Sequence, residues 1–520
     1  MVARLTGVSM IVAVVLCVLL GAAFAEEGRG AVDAAVTVDA AGVLEENFLG
    51  VGVQWSSYPW WDLSEDDWNK VFRRVEFMTL SFTRVMLDAF WYCVGFDETG
   101  RPIYNWNTPY IKKLYRLLDW CEKNNATVVI GEWGRPAGKD LHLETDDPKW
   151  TAAVAGFVEE MLGYKEYTCI KYYNLINEPH VSGSDAFWDE WRRAIDNLHE
   201  DLTKQGLIAS VKLAIPDADR DWTRRVLADE NLRKRTGIYD EHLYVLASQV
   251  ADGSIERYTR EQVGQIQEKD PGKQYFLGEI GLVDDKKNDQ QLYVYDFWYG
   301  VSMADAAIQM IRGGMSGFIA WYLDDSMHFL GDGAESMNSV SDVLPTDAYE
   351  RRKIWGFWNI QGAEHGMPED ENMRPWLYAW SALSRAFPSG CQTLNTAATG
   401  VDRLRVAAAR IPDGRKYHLS FAAVNNSDES KSVKIVVPKA RARVNLGVYE
   451  YFDADGDNKV DAWPDVVDSD GNDIFPRVTR TLKNVDLRSG LTIEMPTRGL
   501  VVLSTLEGGG PIRLNRQSLE

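Results

Sequence analysis

Between residues 48 and 387, eight short apolar runs alternate with amphipathic segments, and few architectures accept that pattern. The runs are Leu49–Val53, Phe82–Leu87, Thr127–Ile130, Tyr172–Ile176, Val211–Ile215, Ile238–Tyr244, Gln274–Leu277 and Gly317–Trp321. Most are continuously apolar, as in parallel strands covered on both faces. The segments between them carry helix starts. Ser64-Glu-Asp-Asp67 has capping-box spacing ahead of 68–77. Thr108-Pro109 and Asp147-Pro148 each set a cap before a proline at the first helical position. Ser184 caps 187–204, and 304–311 and 375–387 supply the last two helices. Eight strand–helix units in sequence predict an α/β chain folded as a (β/α)8 TIM barrel. A doubly wound open sheet would want a glycine-rich phosphate turn after its first strand, and Gly50-Val-Gly52-Val-Gln-Trp55 is not one.

The pattern changes on both sides of this region. Val36–Leu44 reads as one extra strand ahead of the barrel. From Val401 to Thr505 the period falls to two, with frequent turns, which predicts a small C-terminal antiparallel β-sandwich. Pro388-Ser-Gly390 marks the boundary. The expected organisation is a signal peptide over 1–25, a catalytic barrel over 26–387, a sandwich over 388–507 and a loose tail over 508–520. The signal reading rests on Arg4, the apolar run Val8–Leu20 and the Ala-x-Ala ending at Ala25. It sends the mature protein to a secreted, periplasmic or extracellular location, free of the membrane. An uncleaved anchor is the competing reading, although the apolar run is short for a span.

Charge narrows the partners. The formal net charge is −21, which repels phosphate backbones and anionic lipid and argues against nucleic acid. Cys93, Cys121, Cys169 and Cys391 follow no metal spacing, and stand either as one or two disulfides or as free buried thiols. Nothing in the sequence sets the oligomeric state.

In a barrel, residues just past the carboxyl ends of the strands line the active face. The fourth run ends on Asn177-Glu178-Pro179, and proline there turns the chain out of the sheet. The seventh run ends on Gly278-Glu279, so two glutamates about a hundred residues apart meet at one mouth. Two facing carboxyls are what glycosidic cleavage requires: one protonates the leaving oxygen, the other attacks the anomeric carbon or activates water. The 19 tryptophans add flat apolar surfaces suited either to a core or to sugar rings. Trp55, Trp91 and Trp133 follow strands and are candidates for the cleft wall, and Glu132 is a third carboxylate at the mouth. The segment 323–372 is too long for a simple connection and carries His328, Trp355, Trp358 and His365.

These positions together resemble clan A of the glycoside hydrolases, retaining (β/α)8 enzymes that include glycoside hydrolase family 5. The resemblance spans residues 48–387. It implies that Glu178 is the acid/base and Glu279 the nucleophile. Asn177 corresponds to the amide that binds the sugar 2-hydroxyl, and Arg84 in Phe82-Thr-Arg-Val to the arginine that orients the nucleophile. His242 and Tyr244 match a His-x-Tyr on strand six, and Trp321 matches the tryptophan beneath the scissile sugar. Strand three departs, offering Glu132, Trp133 and Arg135 where many members place a histidine.

The resemblance implies a carbohydrate substrate and no cofactor for catalysis. A transglycosylase with the same residues, or a non-catalytic carbohydrate-binding protein, is the alternative; the intact pair Glu178 and Glu279 favours catalysis. A separate motif in the C-terminal part, Asp453-Ala-Asp455-Gly-Asp457-Asn-Lys-Val-Asp461, has alternating carboxylates able to converge on a structural Ca²⁺. An acidic hairpin tip is the other reading, since Asn458 and Pro464 stand where an EF-hand-type loop carries glycine and glutamate.

Overall fold

The structure is a computed structural model and describes residues 32–506 apart from 60, 135–140, 142, 183–184, 284–290, 329–352, 415 and 441–442. The signal segment, the tail 508–520, Arg135, the Ser184 cap and much of the 323–372 segment therefore lie outside the described residues. In chain order the strands are β1 (Ala34–Glu45), β2 (Val51–Gln54), β3 (Phe82–Leu87), the hairpin β4 (Cys93–Phe96) and β5 (Pro102–Tyr104), β6 (Thr127–Glu132), β7 (Ile170–Asn174), β8 (Lys212–Ala218), β9 (Thr236–Val245), β10 (Tyr275–Leu282) and β11 (Gly317–Ala320). They continue as β12 (Gln392–Thr396), β13 (Leu404–Asp413), β14 (Lys416–Asn425), β15 (Lys431–Val436), β16 (Val444–Tyr451), β17 (Arg480–Val485), β18 (Leu491–Met495) and β19 (Gly499–Ser504).

Strands β2, β3, β6, β7, β8, β9, β10 and β11 close into a barrel in that order, β11 pairing back onto β2. Each apolar run of the sequence supplies one of them. Helix starts follow the caps: Ser64 accepts from the Asp67 amide while Asp67 accepts from that of Ser64, opening the helix Glu65–Met78. The barrel floor is a single apolar layer of Leu49, Phe82, Val129, Tyr172, Ala214, Ile238, Phe276 and Ile319, one residue from each strand or its lead-in. A floor of this kind leaves side chains two residues further along the strands to fill the level above, where the polar groups gather.

The extra strand departs from its expected place. β1 does not belong to the 26–387 unit but to the second sheet. It runs antiparallel to β12 and parallel to β15, with Val38 opposite Thr396 and Val36 opposite Ile435. Its alternation explains this: Ala34, Val36 and Val38 are buried while the residues between them are exposed, and that one-sided face packs into the second core rather than the barrel's. The second unit is thus built from both ends of the chain. Its nine strands run in the order β17-β16-β19-β14-β13-β12-β1-β15-β18 and are antiparallel except at β1–β15. Cys93, Cys121, Cys169 and Cys391 are buried free thiols.

Arg374 fastens the return of the long eighth connection. It binds Asp325 at 2.6 Å and Asp370 at 2.9 Å, donates to the Gly356 carbonyl at 2.6 Å, and lies over the Tyr295 ring. Arg374→Ala would strand two buried carboxylates, so a loss of about 3–5 kcal/mol is expected. Urea unfolding checks this; a midpoint close to that of the wild type would contradict the assignment.

Candidate active site

Local backbone irregularities aim the site. Along β9, strict alternation turns Ile238, Asp240, His242 and Tyr244 to one side, with Ile238 in the floor. On β10 the alternation breaks: the register slips between Leu277 and Glu279 against β9. The slip falls at Gly278, whose amide donates to Asp240 and where a Cβ would lie 2.5 Å from the Asp240 carboxylate. Glycine permits this close approach, and the slip re-aims Glu279 into the barrel. A similar slip between Pro216 and Ala218 on β8, with Asp217 at φ +58°, turns Asp217 inward. After β7 the chain leaves the barrel through Glu178 at φ +46°, its amide held by the Asp217 carbonyl and that of Asn177 by the Glu132 carbonyl.

The result is one connected network. Arg84 is wholly buried and donates to Glu279 Oε1 at 2.8 Å, to Asn177 Oδ1 at 2.6 Å, to Asp217 Oδ2 at 2.8 Å and to Gln54 at 3.2 Å. Tyr244 donates to Glu279 Oε2 at 2.5 Å. His242 sits between three carboxylates, with Nδ1 2.9 Å from Glu178 and 3.5 Å from Glu279, and Nε2 2.8 Å from Asp217. One oxygen of Glu178 lies within 4.8 Å of one of Glu279. The Glu178 side chain is 30% exposed, whereas those of Arg84, Asp217, His242 and Glu279 are 0–4% exposed, so Glu178 forms the open edge.

Protonation follows from this wiring. Burial disfavours a charged imidazole, but the Glu279 and Asp217 charges overturn that and hold His242 well above the usual histidine value. Burial would raise Glu178, yet the hydrogen bond and charge of His242 leave it below the usual carboxyl value. Burial raises Glu279, opposed by His242 and Arg84. Burial also opposes ionisation of Asp217, and the Arg84 and His242 charges win, so its pKa falls. Asp240, buried beside Asp217, is pushed well up. Glu178, His242 and Glu279, and separately Asp217, Asp240 and His242, each lie close enough together to hold a cation. The guanidinium of Arg84 already stands between Glu279 and Asp217, however, and supplies positive charge at that point.

Trp321 and Trp133 meet edge to face at 6.0 Å, and His328 stacks on Trp321 at 4.8 Å while standing edge-on to Trp133. Burial and the charges of Lys353 and Arg84 hold His328 well below the usual histidine value, so its ring is neutral. Trp355 packs on Tyr244 at 5.3 Å. Three candidates stand elsewhere. Trp55 is fully buried against Phe72 and Trp120, under the flanking helices, because apolar surface outside the barrel needs covering too. Trp91 is buried and stacked on Tyr110. Glu132 is fully buried, its Oε1 accepting from Tyr92 and Tyr173, and burial pushes it up to about 8. Trp358 donates to Asp324 under Arg74, away from the network. A cavity of about 790 Å³ opens at the opposite end, among Leu49, Ser81, Thr127, Ile170 and Lys212.

The acidic loop is closed on itself. Asp453, Asp455 and Asp461 offer oxygens within 4.8 Å of one another, while Asp457 is not in that group and accepts from the Lys459 amide. Asp453 already accepts the amides of Gly456, Asp457 and Asn458. Asn458 pins the loop to the barrel by accepting from the Phe297 amide at 2.8 Å.

Sequence reasoning missed Gln54 and Asp240 as well as Asp217. Alternation from Ala214, in the floor, turns Asp217 away from the interior; only the slip on β8 brings it in.

No family model matches the chain, and no curated protein matches it by sequence. Solved structures do match. The catalytic domain of a glycoside hydrolase family 30 xylanase C from Talaromyces cellulolyticus is 14% identical, with a TM-score of 0.57, covering 90% of this chain and 99% of that one. A family 39 enzyme from Xanthomonas axonopodis pv. citri is 14% identical at a TM-score of 0.55, covering 90% and 96%. An endo-β-1,6-glucanase, BT3312, is 14% identical at 0.54, covering 90% and 93%. The chain has the fold of these glycoside hydrolases: a closed parallel (β/α)8 barrel with an attached β-sandwich.

Proposed function

We propose that this protein is a secreted retaining glycoside hydrolase that cleaves β-linked polysaccharide or oligosaccharide. The observation that carries the reading is the pair Glu178 and Glu279, with oxygens within 4.8 Å at one mouth of the barrel. Retaining enzymes hold their carboxyls about 5–5.5 Å apart, and inverting ones about 6.5–9.5 Å. Glu279, fixed by Arg84 and Tyr244, is placed to attack the anomeric carbon. Glu178, at the open edge, is placed to protonate the leaving oxygen and then to activate water. Trp321 and Trp133 offer the apolar surface for the sugar ring. Xylanase and β-1,6-glucanase activities among the matched structures support a β-linked substrate. Secretion rests on residues 1–25.

The test is the stereochemistry of the first product. Proton NMR of a fresh digest of aryl β-glycosides and β-glucan or xylan panels should show the β-anomer appearing first. Initial release of the α-anomer would exclude double displacement.

A further inference from the structure

We infer that Glu178 does not hold its catalytic proton alone: a Glu178–His242–Asp217 relay stores it on the imidazole and moves it through the carboxyl. This deepens the proposed hydrolase reading and rests on it. His242 has both ring nitrogens engaged, Nδ1 at 2.9 Å from Glu178 Oε1 and Nε2 at 2.8 Å from Asp217 Oδ1. Both acceptors are carboxylates, so both contacts are satisfied when both nitrogens carry hydrogen. The groups facing the ring are Glu178 after β7, Asp217 on β8, Glu279 on β10 and Asp240 on its own strand, with Arg84 from β3 behind two of them. Burial pushes Asp240 toward its neutral form, and the charges of Glu279 and Asp217, with the hydrogen bond to Glu178, favour an imidazolium.

The step balances. At rest Glu178 is a carboxylate and the imidazolium carries the proton: the Nδ1–H bond of His242 breaks as an Oε1–H bond forms, and that O–H bond breaks in turn as the proton passes to the leaving oxygen, returning Glu178 to its carboxylate. The imidazole is left neutral with Nε2–H still donated to Asp217. When Glu178 takes a proton from the attacking water, the transfer reverses. Glu178 is the only exposed member, so the buried imidazole exchanges protons with the cleft through it. Asp217 is a positioning residue here, since it acts through His242.

The relay fixes the sign of a pH effect. The alkaline limb of kcat/KM marks loss of the shared proton, and Asp217 holds that proton by its charge. Asp217→Asn should move the limb to lower pH by about 1–3 units, the shift typical of losing an opposite charge at this range. His242→Gln should cost most with poor leaving groups. Asp217 also binds Arg84, so a purely structural role would lower kcat/KM equally at every pH; an unmoved limb overturns the relay. Independently, ¹⁵N NMR of ring-labelled wild-type protein should show His242 with both nitrogens protonated at neutral pH, and a neutral single tautomer overturns it as well. Absence of wild-type turnover on any aryl glycoside would sink the hydrolase reading instead, and the NMR arm would still judge the placement of the proton.

Discussion

Glu279→Gln is expected to lower kcat on an activated aryl β-glycoside by about 10⁴-fold or more. The amide keeps the shape but cannot form a glycosyl-enzyme bond. Everything around Glu279 is arranged for an anion there: Arg84 donates to one oxygen at 2.8 Å, Tyr244 to the other at 2.5 Å, and His242 stands 3.5 Å away. These donors would hold Glu279 as the carboxylate that attack on the anomeric carbon needs. Glu279→Ala opens a space the size of a small anion between Arg84, Tyr244 and the sugar. Azide entering there attacks from the nucleophile's side, so the product should be the α-glycosyl azide, inverted relative to the substrate. Mass spectrometry and NMR of that product check the outcome. Turnover by Glu279→Gln equal to wild type would end the assignment.

Much of this arrangement was readable from the chain, and the reason is physical. Parallel strands packed on both faces leave continuous apolar runs, and Phe82–Leu87 and Thr127–Glu132 stand out for that reason. Glu178 and Glu279 were legible because each ends such a run, and His242 and Tyr244 through their resemblance to a His-x-Tyr on strand six, two positions that share one face of β9. Asp217 was hidden because period-two counting fails across an irregular strand. The place of β1 was hidden for a different reason. Its partner β15 lies roughly four hundred residues away, as the Asp33–Ser432 contact shows, and no local signal encodes that pairing. Trp55 and Trp91 show the limit of position alone. A tryptophan after a strand can face the cleft or the helices, and only the side-chain direction decides. Glu132 sits where a ligand contact was expected, yet it is fully buried, with Tyr92 and Tyr173 both donating to its Oε1.

Glu178→Ala should produce the complementary result, an effect graded by leaving group. A dinitrophenolate departs without protonation, so attack by Glu279 should stay fast and the glycosyl-enzyme should accumulate, visible as a burst. A sugar or alkyl leaving group needs the proton, and its cleavage should fall by about 10²–10⁴-fold. Hydrolysis of the intermediate slows in both cases, because no base remains at the open edge to activate water. Azide needs no base. It should therefore restore turnover and give the β-glycosyl azide, retained in configuration, against the α-product of the Glu279→Ala variant. Opposite anomers from the two variants would assign the two carboxyls to opposite faces of the sugar ring. That outcome also separates Glu178 from a residue that merely holds His242 in place, since loss of a structural contact gives uniform loss and no anomeric signature. A loss independent of leaving group, with no azide product, would contradict the acid/base role.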